Sequence, residues 1–435
     1  MKLLVLMAAA ALAAYAQLPI DSDLAAEIGR IRAIDHHAHP VTAARGSDPQ
    51  DLEYDALPVE NLEASSDPVR MRPDNPALLD VWRALWDYRY ADRTADHRRE
   101  LEERKKRLLD EKGDGYPAWV LDQAGIDVMF ANRVALGRGI QPPRFRWVAF
   151  ADALMYPADN SRLAAQTPDR KAFFSYEDRL LRRYLNESGL QAPPATLDQY
   201  QQKVVTATLE RHRQGGAIAE KFEAAYLRSL DFGDTEKSEA ARIYTAARRA
   251  TPNNADYKKL QDYLFRFIAA ECGRLGMAVH IHVEAGAGSY FSIAGINPLV
   301  LEPAFNDPRL RKTNFVMVHG GWPFNEEAAA LLEKPNVYLD FSSQSLIHYP
   351  RDLARSMRVW LEHVPEKVMF GTDAYPYIPE MSWEEAAWIG SRTSREALGL
   401  ALSEMLRDGE ITRERAVELA RMVLRENAIR LYGLK

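Results

Sequence analysis

The chain has 435 residues, of which 47% are hydrophobic and 27% charged, which is typical of a globular protein with a sizeable core. Its formal net charge of −6 argues for solubility and against a general affinity for nucleic acid. The one cysteine, Cys272, excludes an internal disulfide and a cysteine-based metal site.

The first sixteen residues have the pattern of a secretory signal peptide. Lys2 gives a positive start, an apolar run extends from Leu3 to Ala13, and Ala14-Tyr15-Ala16 fits the small-x-small cleavage rule. An uncleaved anchor or a buried helix is the alternative, but a membrane span needs a longer apolar run of ~20 residues. We therefore expect an exported protein, periplasmic or extracellular, whose mature part (residues 17–435) is a single domain without a stable membrane span.

Eight short apolar runs rich in β-branched residues are predicted strands. Helical patterns lie between most of them, and one or two further helices follow the eighth. Alternating strands and helices predict parallel strands, and eight such units predict a (β/α)8 TIM barrel. An open doubly wound sheet is the alternative, but it would carry a glycine-rich phosphate loop where this chain has histidines. In chain order, the predicted strands begin at Ile31, Ile126, Phe145, Gly216, Gly276, Thr313, Asn336 and Lys367.

Two connections are too long for a minimal barrel. The first, about residues 41–120, follows strand 1, and the second, about residues 156–213, follows strand 3. Both leave the C-terminal ends of strands, where barrel enzymes build their active sites. They are predicted to be lids or pocket walls, with packing decoration or an oligomer contact as the alternative. Trp82 and Trp86, four residues apart in the first connection, are predicted to form the apolar face of a helix.

The stretch "IDHHAHP" at the end of strand 1 contains three histidines. Because side chains alternate along a strand, His37 and His39 are predicted to share one side and His36 to point to the other. Two imidazoles on one side can hold a metal ion. A merely polar strand end is the alternative, since an H-x-H pair often occurs by chance.

Other strand ends carry similar groups. Strand 5 ends with His280 and His282 on one side, strand 6 ends at His319, and strand 8 ends at Asp373. Imidazole nitrogens and a carboxylate oxygen suit Zn²⁺ or another divalent first-row metal. Their gathering on the active-site end of a barrel predicts a metal centre.

The motifs "HHAH", "HIHVEAG", "VHGGWPF" and "FGTDAYP", in this order, resemble the amidohydrolase superfamily. The resemblance is greatest to the branch of amidohydrolase-related (amidohydrolase 2 type) metal-dependent hydrolases and decarboxylases. It implies that His37, His39 and His282 are metal ligands. Asp373 would be a ligand or a neighbour of the metal and also the general base or acid. His319 would orient the attacking water, polarise the substrate or bind a second metal.

The chemistry expected of such a site needs these groups. A divalent metal, with Zn²⁺ favoured, lowers the pKa of a bound water from 15.7 toward ~7. Asp373 would take the proton of this water and pass it to a leaving group, and His319 would help to stabilise the oxyanion. The metal count, one ion or two, is left open.

Residues near the end of strand 4 are predicted to contact the substrate. Alternation places Lys221 and Glu223 on one side, with an outward-facing lysine as the alternative if the register is off by one. In two-metal members of the superfamily a carboxylated lysine at this point bridges the ions, and "KFEAAYLRSL" also resembles the amidohydrolase-like domain fused to some glutamine synthetases. Tyr226 and Arg228 would bind a substrate carboxylate, with a solvated loop position as the alternative for Arg228. Trp322 would line the pocket.

These features favour a metal-dependent hydrolase that attacks an amide, lactone or ester carbonyl of a small molecule. A non-oxidative decarboxylase of an aromatic or enoic acid is the alternative within the family. A third reading is a non-catalytic barrel that binds a small molecule. The loss of one or more of the expected metal-binding residues would support it, but all of those residues are present. No nucleic-acid partner is expected, and homo-oligomers are common among enzymes of this size.

Overall fold

A computed structural model describes residues 20–434 except 43, 47, 60, 61, 64 and 65. The predicted signal peptide lies outside the described residues. Within those ranges, no helix has the length and apolarity that crossing a membrane requires.

Eight parallel strands form one sheet, and each strand pairs with the next in chain order. All eight coincide with the predicted runs. The barrel closes between its first and last strands, where His36 N–H donates to Phe370 O (2.9 Å) and Asp373 N–H donates to His37 O (2.7 Å). The predicted (β/α)8 TIM barrel is confirmed. The strands are β1 (Ala33–Ala38), β2 (Ile126–Asn132), β3 (Phe145–Phe150), β4 (Ala217–Phe222), β5 (Ala278–His282), β6 (Phe315–Val318), β7 (Val337–Asp340) and β8 (Val368–Met369).

Helices surround the barrel and fill its long connections. Sequence features set their ends: Asn253 caps the helix before β5 by accepting the Asp256 N–H, and Gly276 ends it with a left-handed φ of 67°. The helices are α1 (Ser22–Arg30), α2 (Ala77–Trp86), α3 (Ala95–Lys112), α4 (Tyr116–Gln123), α5 (Ser161–Ala164), α6 (Pro168–Glu187), α7 (Leu197–Tyr200), α8 (Ala207–Gln214), α9 (Lys237–Ala247), α10 (Asn254–Leu275), α11 (Glu302–Phe305), α12 (Asn325–Leu331), α13 (Gln344–Ile347), α14 (Pro350–His363), α15 (Trp383–Arg407), α16 (Arg413–Arg421) and α17 (Asn427–Tyr432). Two π-helical turns, Gln201–Thr206 and Met422–Glu426, join α7 to α8 and α16 to α17.

The inside of the barrel has an apolar floor. Ile34, Phe130, Val148 and Val316 from four strands belong to one buried cluster, against which α17 packs through Ala428 and its neighbours. Buried parallel strands are apolar on both faces, because helices cover the outside. This filled floor leaves the C-terminal ends of the strands as the open end of the barrel.

The two long connections contribute differently to the barrel. The first contains α2, α3 and α4, and its Trp82 and Trp86 are buried, as their spacing predicted. The second contains α6, which approaches the open end of the barrel through Phe173 and through Asp169, whose carboxylate accepts the Tyr290 N–H. Residues of the first connection also form one wall of the cavity described below.

Candidate metal site and cavity

Two histidine nitrogens and a carboxylate oxygen converge at the open end of the barrel. Nε2 of His37 and Nε2 of His39 lie 3.3 Å apart, and Oδ1 of Asp373 lies 3.2 Å from the first and 3.7 Å from the second. Zn–N bonds of about 2.0–2.1 Å at a tetrahedral angle place two ligand nitrogens about 3.3 Å apart. The donor set therefore fits a divalent metal, in spacing as well as in chemistry.

Burial keeps both imidazoles neutral, which ligation requires. It lowers the pKa of His37 well below its usual value, with a further lowering by the charge of Lys221. Burial likewise lowers the pKa of His39, although Asp55 and Asp373 oppose this shift. A neutral ring presents a lone pair, so these two histidines are prepared to bind a cation without first losing a proton to the solvent.

Asp373 is held in an uncommon backbone conformation. Its φ of 56° is in the left-handed region, which persists only where the surroundings impose it. Its backbone N–H donates to His37, and the Tyr377 hydroxyl lies 2.5 Å from its Oδ2. Burial alone would raise the pKa of Asp373, but His319, His39 and the Tyr377 hydroxyl lower it below the usual value. The group is therefore an ionised carboxylate with one oxygen directed at the histidine pair.

A hydrogen-bond network fixes the tautomer of His319. Ser342 Oγ lies 2.9 Å from Nδ1 of His319 and also donates its proton to Oδ1 of Asp340. Because a hydroxyl has a single proton, Ser342 must accept from Nδ1–H of His319. Burial lowers the pKa of His319 well below its usual value, so the ring is neutral and its Nε2 is an acceptor. His319 has a φ of 73°, a second strained backbone in the site.

The strand alternation predicted for β1 is wrong at one point. The register of β1 against β2 shifts between Asp35 and Ala38, which is the mark of a bulge. His36 was predicted to point away from His37, but both lie inside the barrel. The ring of His36 is 4.6 Å from that of His280, and its Nδ1 is 2.7 Å from Oδ2 of Asp340. His36 therefore hydrogen-bonds behind the site.

His282 and Tyr226 line the cavity, whereas His280, which was predicted to share the side of β5 that carries His282, lies deeper in the barrel. The rings of His282 and His319 are 4.6 Å apart, and those of His282 and Tyr226 are 4.8 Å apart. Nε2 of His282 is 3.0 Å from the backbone oxygen of Glu284, and the group of converging donor atoms contains His37, His39 and Asp373 without it. A ligand role for His282 stays a prediction, and so does substrate binding by Tyr226.

Lys221 faces the barrel interior, as the register of β4 predicted. It is fully buried, and its Nζ lies 3.2 Å from Nε2 of His37. Its neighbours in the strand confirm the alternation, because Ala219 belongs to the interior cluster while Phe222 packs outward against Phe265. A lysine in this position is able to reach both a metal ligand and a bound substrate.

Arg228 lies elsewhere. Its guanidinium pairs with Asp262 at 2.5 Å and with Gln261 at 3.0 Å, stacks over Phe232 and is not among the residues that line the cavity. The structure therefore gives no support to its predicted role with a substrate carboxylate. The side chain is also not the solvated loop residue of the alternative reading, because only 9% of it is exposed.

A cavity of about 560 Å³ opens above the convergent donors. Its wall includes the predicted Trp322, and it also contains three carboxylates, those of Asp55, Glu223 and Glu284. Glu223 was predicted only to share the side of strand 4 that carries Lys221, without a role of its own, and neither Asp55 nor Glu284 was predicted to be in the site. Glu223 and Glu284 could have been found, since each follows a predicted site residue by two positions. Asp55 could not, because it comes from the long first connection, which has no strand periodicity to orient it.

The comparisons with known proteins agree with this geometry. A family model described as amidohydrolase matches residues 34–434. The chain belongs to the amidohydrolase family. The match includes the candidate metal site, and membership of this family indicates that this amidohydrolase is an enzyme.

One curated relative is the protein fluG of Emericella nidulans. It is 29% identical to this amidohydrolase over 214 residues, which are 47% of this chain and 24% of the relative. The chain thus matches about a quarter of the length of that protein.

Three solved structures share the fold of this amidohydrolase. A protein assigned as a metal-dependent hydrolase from Lactobacillus casei has a TM-score of 0.63 at 14% identity, covering 94% of this chain and 97% of its own. Uronate isomerase from Thermotoga maritima has a TM-score of 0.60 at 14% identity, covering 94% of this chain and 96% of its own. Glucuronate isomerase from Caulobacter crescentus has a TM-score of 0.59 at 13% identity, and the match covers 96% of each chain. At such identities the likeness concerns the fold alone.

Proposed function

We propose that this amidohydrolase hydrolyses an amide, lactone or ester bond of a small molecule with the help of a bound divalent metal. The observation that carries the proposal is the convergence of Nε2 of His37, Nε2 of His39 and Oδ1 of Asp373 within 3.2–3.7 Å of one another. Zn²⁺ is the ion that we expect, with His282 as the third histidine ligand. Such a metal supplies Lewis acidity and lowers the pKa of a bound water.

The protein's own groups then handle the proton and the developing charge. The ionised carboxylate of Asp373 accepts a proton from the attacking water and returns it to the leaving group. Nε2 of His319, an acceptor in the tautomer that Ser342 imposes, orients that water. The buried ammonium group of Lys221 stabilises the negative oxygen that forms as the carbonyl is attacked. Tyr226 and Trp322 would hold the organic part of the substrate in the cavity.

The test compares metal-free and metal-loaded protein on defined substrates. Protein stripped with a chelator and reloaded with Zn²⁺ is assayed on small panels of amides, lactones and esters, and CO₂ release is measured from aromatic and enoic acids. We expect hydrolysis that requires the metal and disappears in His37→Asn. Metal-dependent CO₂ release without hydrolysis would replace the proposal with decarboxylation, and substrate binding by a protein that takes up no metal would favour the non-catalytic barrel.

We also propose that the mature enzyme works outside the cytoplasm, as the first sixteen residues suggest. Fractionation of cells that express the full chain should recover the protein in the exported fraction, with an N-terminus at Gln17. An intact Met1 on cytoplasmic protein would contradict this proposal.

A further inference from the structure

Four carboxylates lie together beside the cavity: those of Asp55, Asp152, Glu177 and Glu223. None is more than 6% exposed. The Glu223 N–H donates to Oδ2 of Asp152 at 2.7 Å, and burial raises the pKa of Glu223, as do the charges of Asp55, Asp152 and Glu177. These four side chains, which we call the acidic wall, therefore share one small buried volume.

Several oxygens of the acidic wall lack a hydrogen-bond partner. Oδ1 of Asp152, both carboxylate oxygens of Glu177 and Oε2 of Glu223 have no hydrogen-bond partner. In the described part of the chain, none of the four carboxylates forms an ion pair with a lysine or arginine side chain. The charge of Lys221 offsets only part of the burial of Asp55, Asp152 and Glu223. A buried carboxylate that is incompletely compensated costs several kcal/mol, so such a group normally takes up a proton or holds a cation.

His39 connects the acidic wall to the histidine pair. Its Nε2 faces His37, whereas its Nδ1 lies 3.6 Å from Oδ1 of Asp55 and 3.3 Å from the backbone oxygen of Tyr54. Ligand atoms from His39, Asp55 and Glu223 all lie within 4.8 Å of one another, and all three residues line the cavity. This arrangement is separate from the group formed by His37, His39 and Asp373, and the two share one imidazole ring.

We propose that His39, Asp55 and Glu223 form a second divalent-cation site, with Asp152 and Glu177 supplying further negative charge behind it. Two carboxylates and one imidazole favour a harder ion than a histidine-rich set does, and Mn²⁺ suits this mixture. Binding replaces the proton on Nδ1 of His39 with the cation and releases that proton to the solvent. The inference does not depend on the proposed reaction, which needs only the first group.

The experiment measures metal content and metal spacing in the full-length protein loaded with Mn²⁺ alone. Elemental analysis of the wild type should find two ions per chain, and electron paramagnetic resonance should give the spectrum of a coupled pair. In Glu223→Gln and Asp55→Asn, one ion should remain with the spectrum of an isolated Mn²⁺. The second ion should bind at least about 100-fold more weakly, a larger effect than that of losing an outer-shell partner. Glu284→Gln is the matched control, because Glu284 is a buried cavity carboxylate outside the group, and it should keep two ions.

The outcomes separate this inference from the proposed function. One ion in the wild type, unchanged in Glu223→Gln and lost in His37→Asn, would overturn the second site and leave the first intact. Two ions that both persist in Glu223→Gln and in Asp55→Asn would also overturn it, since the second ion would then bind elsewhere. If Asp55→Asn does not fold, Glu223→Gln and the coupled spectrum of the wild type still decide. A wild type that binds no metal would overturn both proposals.

Discussion

Nδ1 of His319 donates a hydrogen bond to Oγ of Ser342 at 2.9 Å, and Ser342 in turn donates to Asp340. This relationship determines which nitrogen of His319 faces the reaction. Outer partners of this kind typically change activity by about 10–100-fold when they are removed.

Ser342→Ala should lower kcat by about 10–100-fold with little change in KM, because the neutral ring can then adopt the wrong tautomer. Steady-state kinetics on the substrate found in the panels would measure this. Ser345→Ala is a matched control, since Ser345 is equally buried and its hydroxyl has no partner. Equal losses in the two variants would mean that the effect comes from packing rather than from the tautomer.

Asp373→Asn should lower kcat by about 10²–10⁴-fold, the usual contribution of a general acid or base. The amide has nearly the same shape, so the hydrogen bond from the Asp373 N–H to His37 should survive and the melting temperature should change little. Steady-state kinetics test the predicted loss of kcat, and thermal unfolding of the same preparation tests the unchanged melting temperature. Full activity in this variant would remove Asp373 from proton transfer.

Lys221→Met should reduce kcat/KM by about 10²–10³-fold, as expected when a group that stabilises an oxyanion is lost. Because we assign Lys221 to the substrate, the metal content measured by elemental analysis should stay unchanged. A variant that loses metal would instead make Lys221 a ligand, as in the two-metal members of the superfamily with a carboxylated lysine.

The pH profile of kcat/KM should have its acid limb at low pH. His319 must be neutral and Asp373 ionised, and both have a pKa below the usual value. A lowered pKa means that a group stays deprotonated as the pH falls, so activity should persist below about pH 6, where an ordinary histidine with a pKa of about 6.5 is largely protonated. A limb near pH 7 that stays in place when the loaded metal is changed would contradict this assignment, because a limb set by the metal-bound water moves with the metal.

A buried carboxylate outside the site should make stability depend on pH. Burial opposes ionisation of Asp307, but Arg309 and Arg266 bind its carboxylate and lower its pKa from 3.8 to about 2. Its contribution is therefore present above pH 3.8 and is lost as the pH falls toward 2. Asp307→Asn should cost about 2 kcal/mol of unfolding free energy at pH 7, a typical value for hydrogen bonds to a charged group.

Urea unfolding at several pH values would show the difference between Asp307→Asn and wild type shrinking below pH 4. Asp234→Asn removes the other carboxylate that pairs with Arg309, but 59% of that side chain is exposed. It should therefore cost less than about 1 kcal/mol. A pH-independent difference for Asp307→Asn would point to lost packing instead of lost charge.

The barrel was predictable because its strands are largely buried on both faces. Such strands appear in a sequence as short apolar runs, and all eight were located in this way. The alternation rule also placed Lys221 inward and put His280 on the same side of its strand as His282. It was wrong at His36, because a bulge adds a residue to one strand and the sequence has no glycine or proline there to announce it.

The rest of the cavity depends on contacts that no local pattern encodes. Asp55 enters the site only because the first long connection folds over the barrel mouth. Arg228 was predicted to contact the substrate from its proximity to β4, but its partners, Asp262 and Gln261, belong to α10. Ion pairs between distant segments form only in the tertiary structure, and the sequence alone does not specify which carboxylate an arginine will pair with.

The hydrogen bonds that close the barrel also join residues that are synthesised far apart in time. Asp35 on the first strand binds Thr372, which is 337 positions further along the chain, and the next residue is Asp373. The histidine pair therefore leaves the ribosome long before its carboxylate partner exists. Until the last strand is in place, the nascent chain has the two imidazoles and lacks the third group. Metal should accordingly be acquired in the compartment where folding finishes.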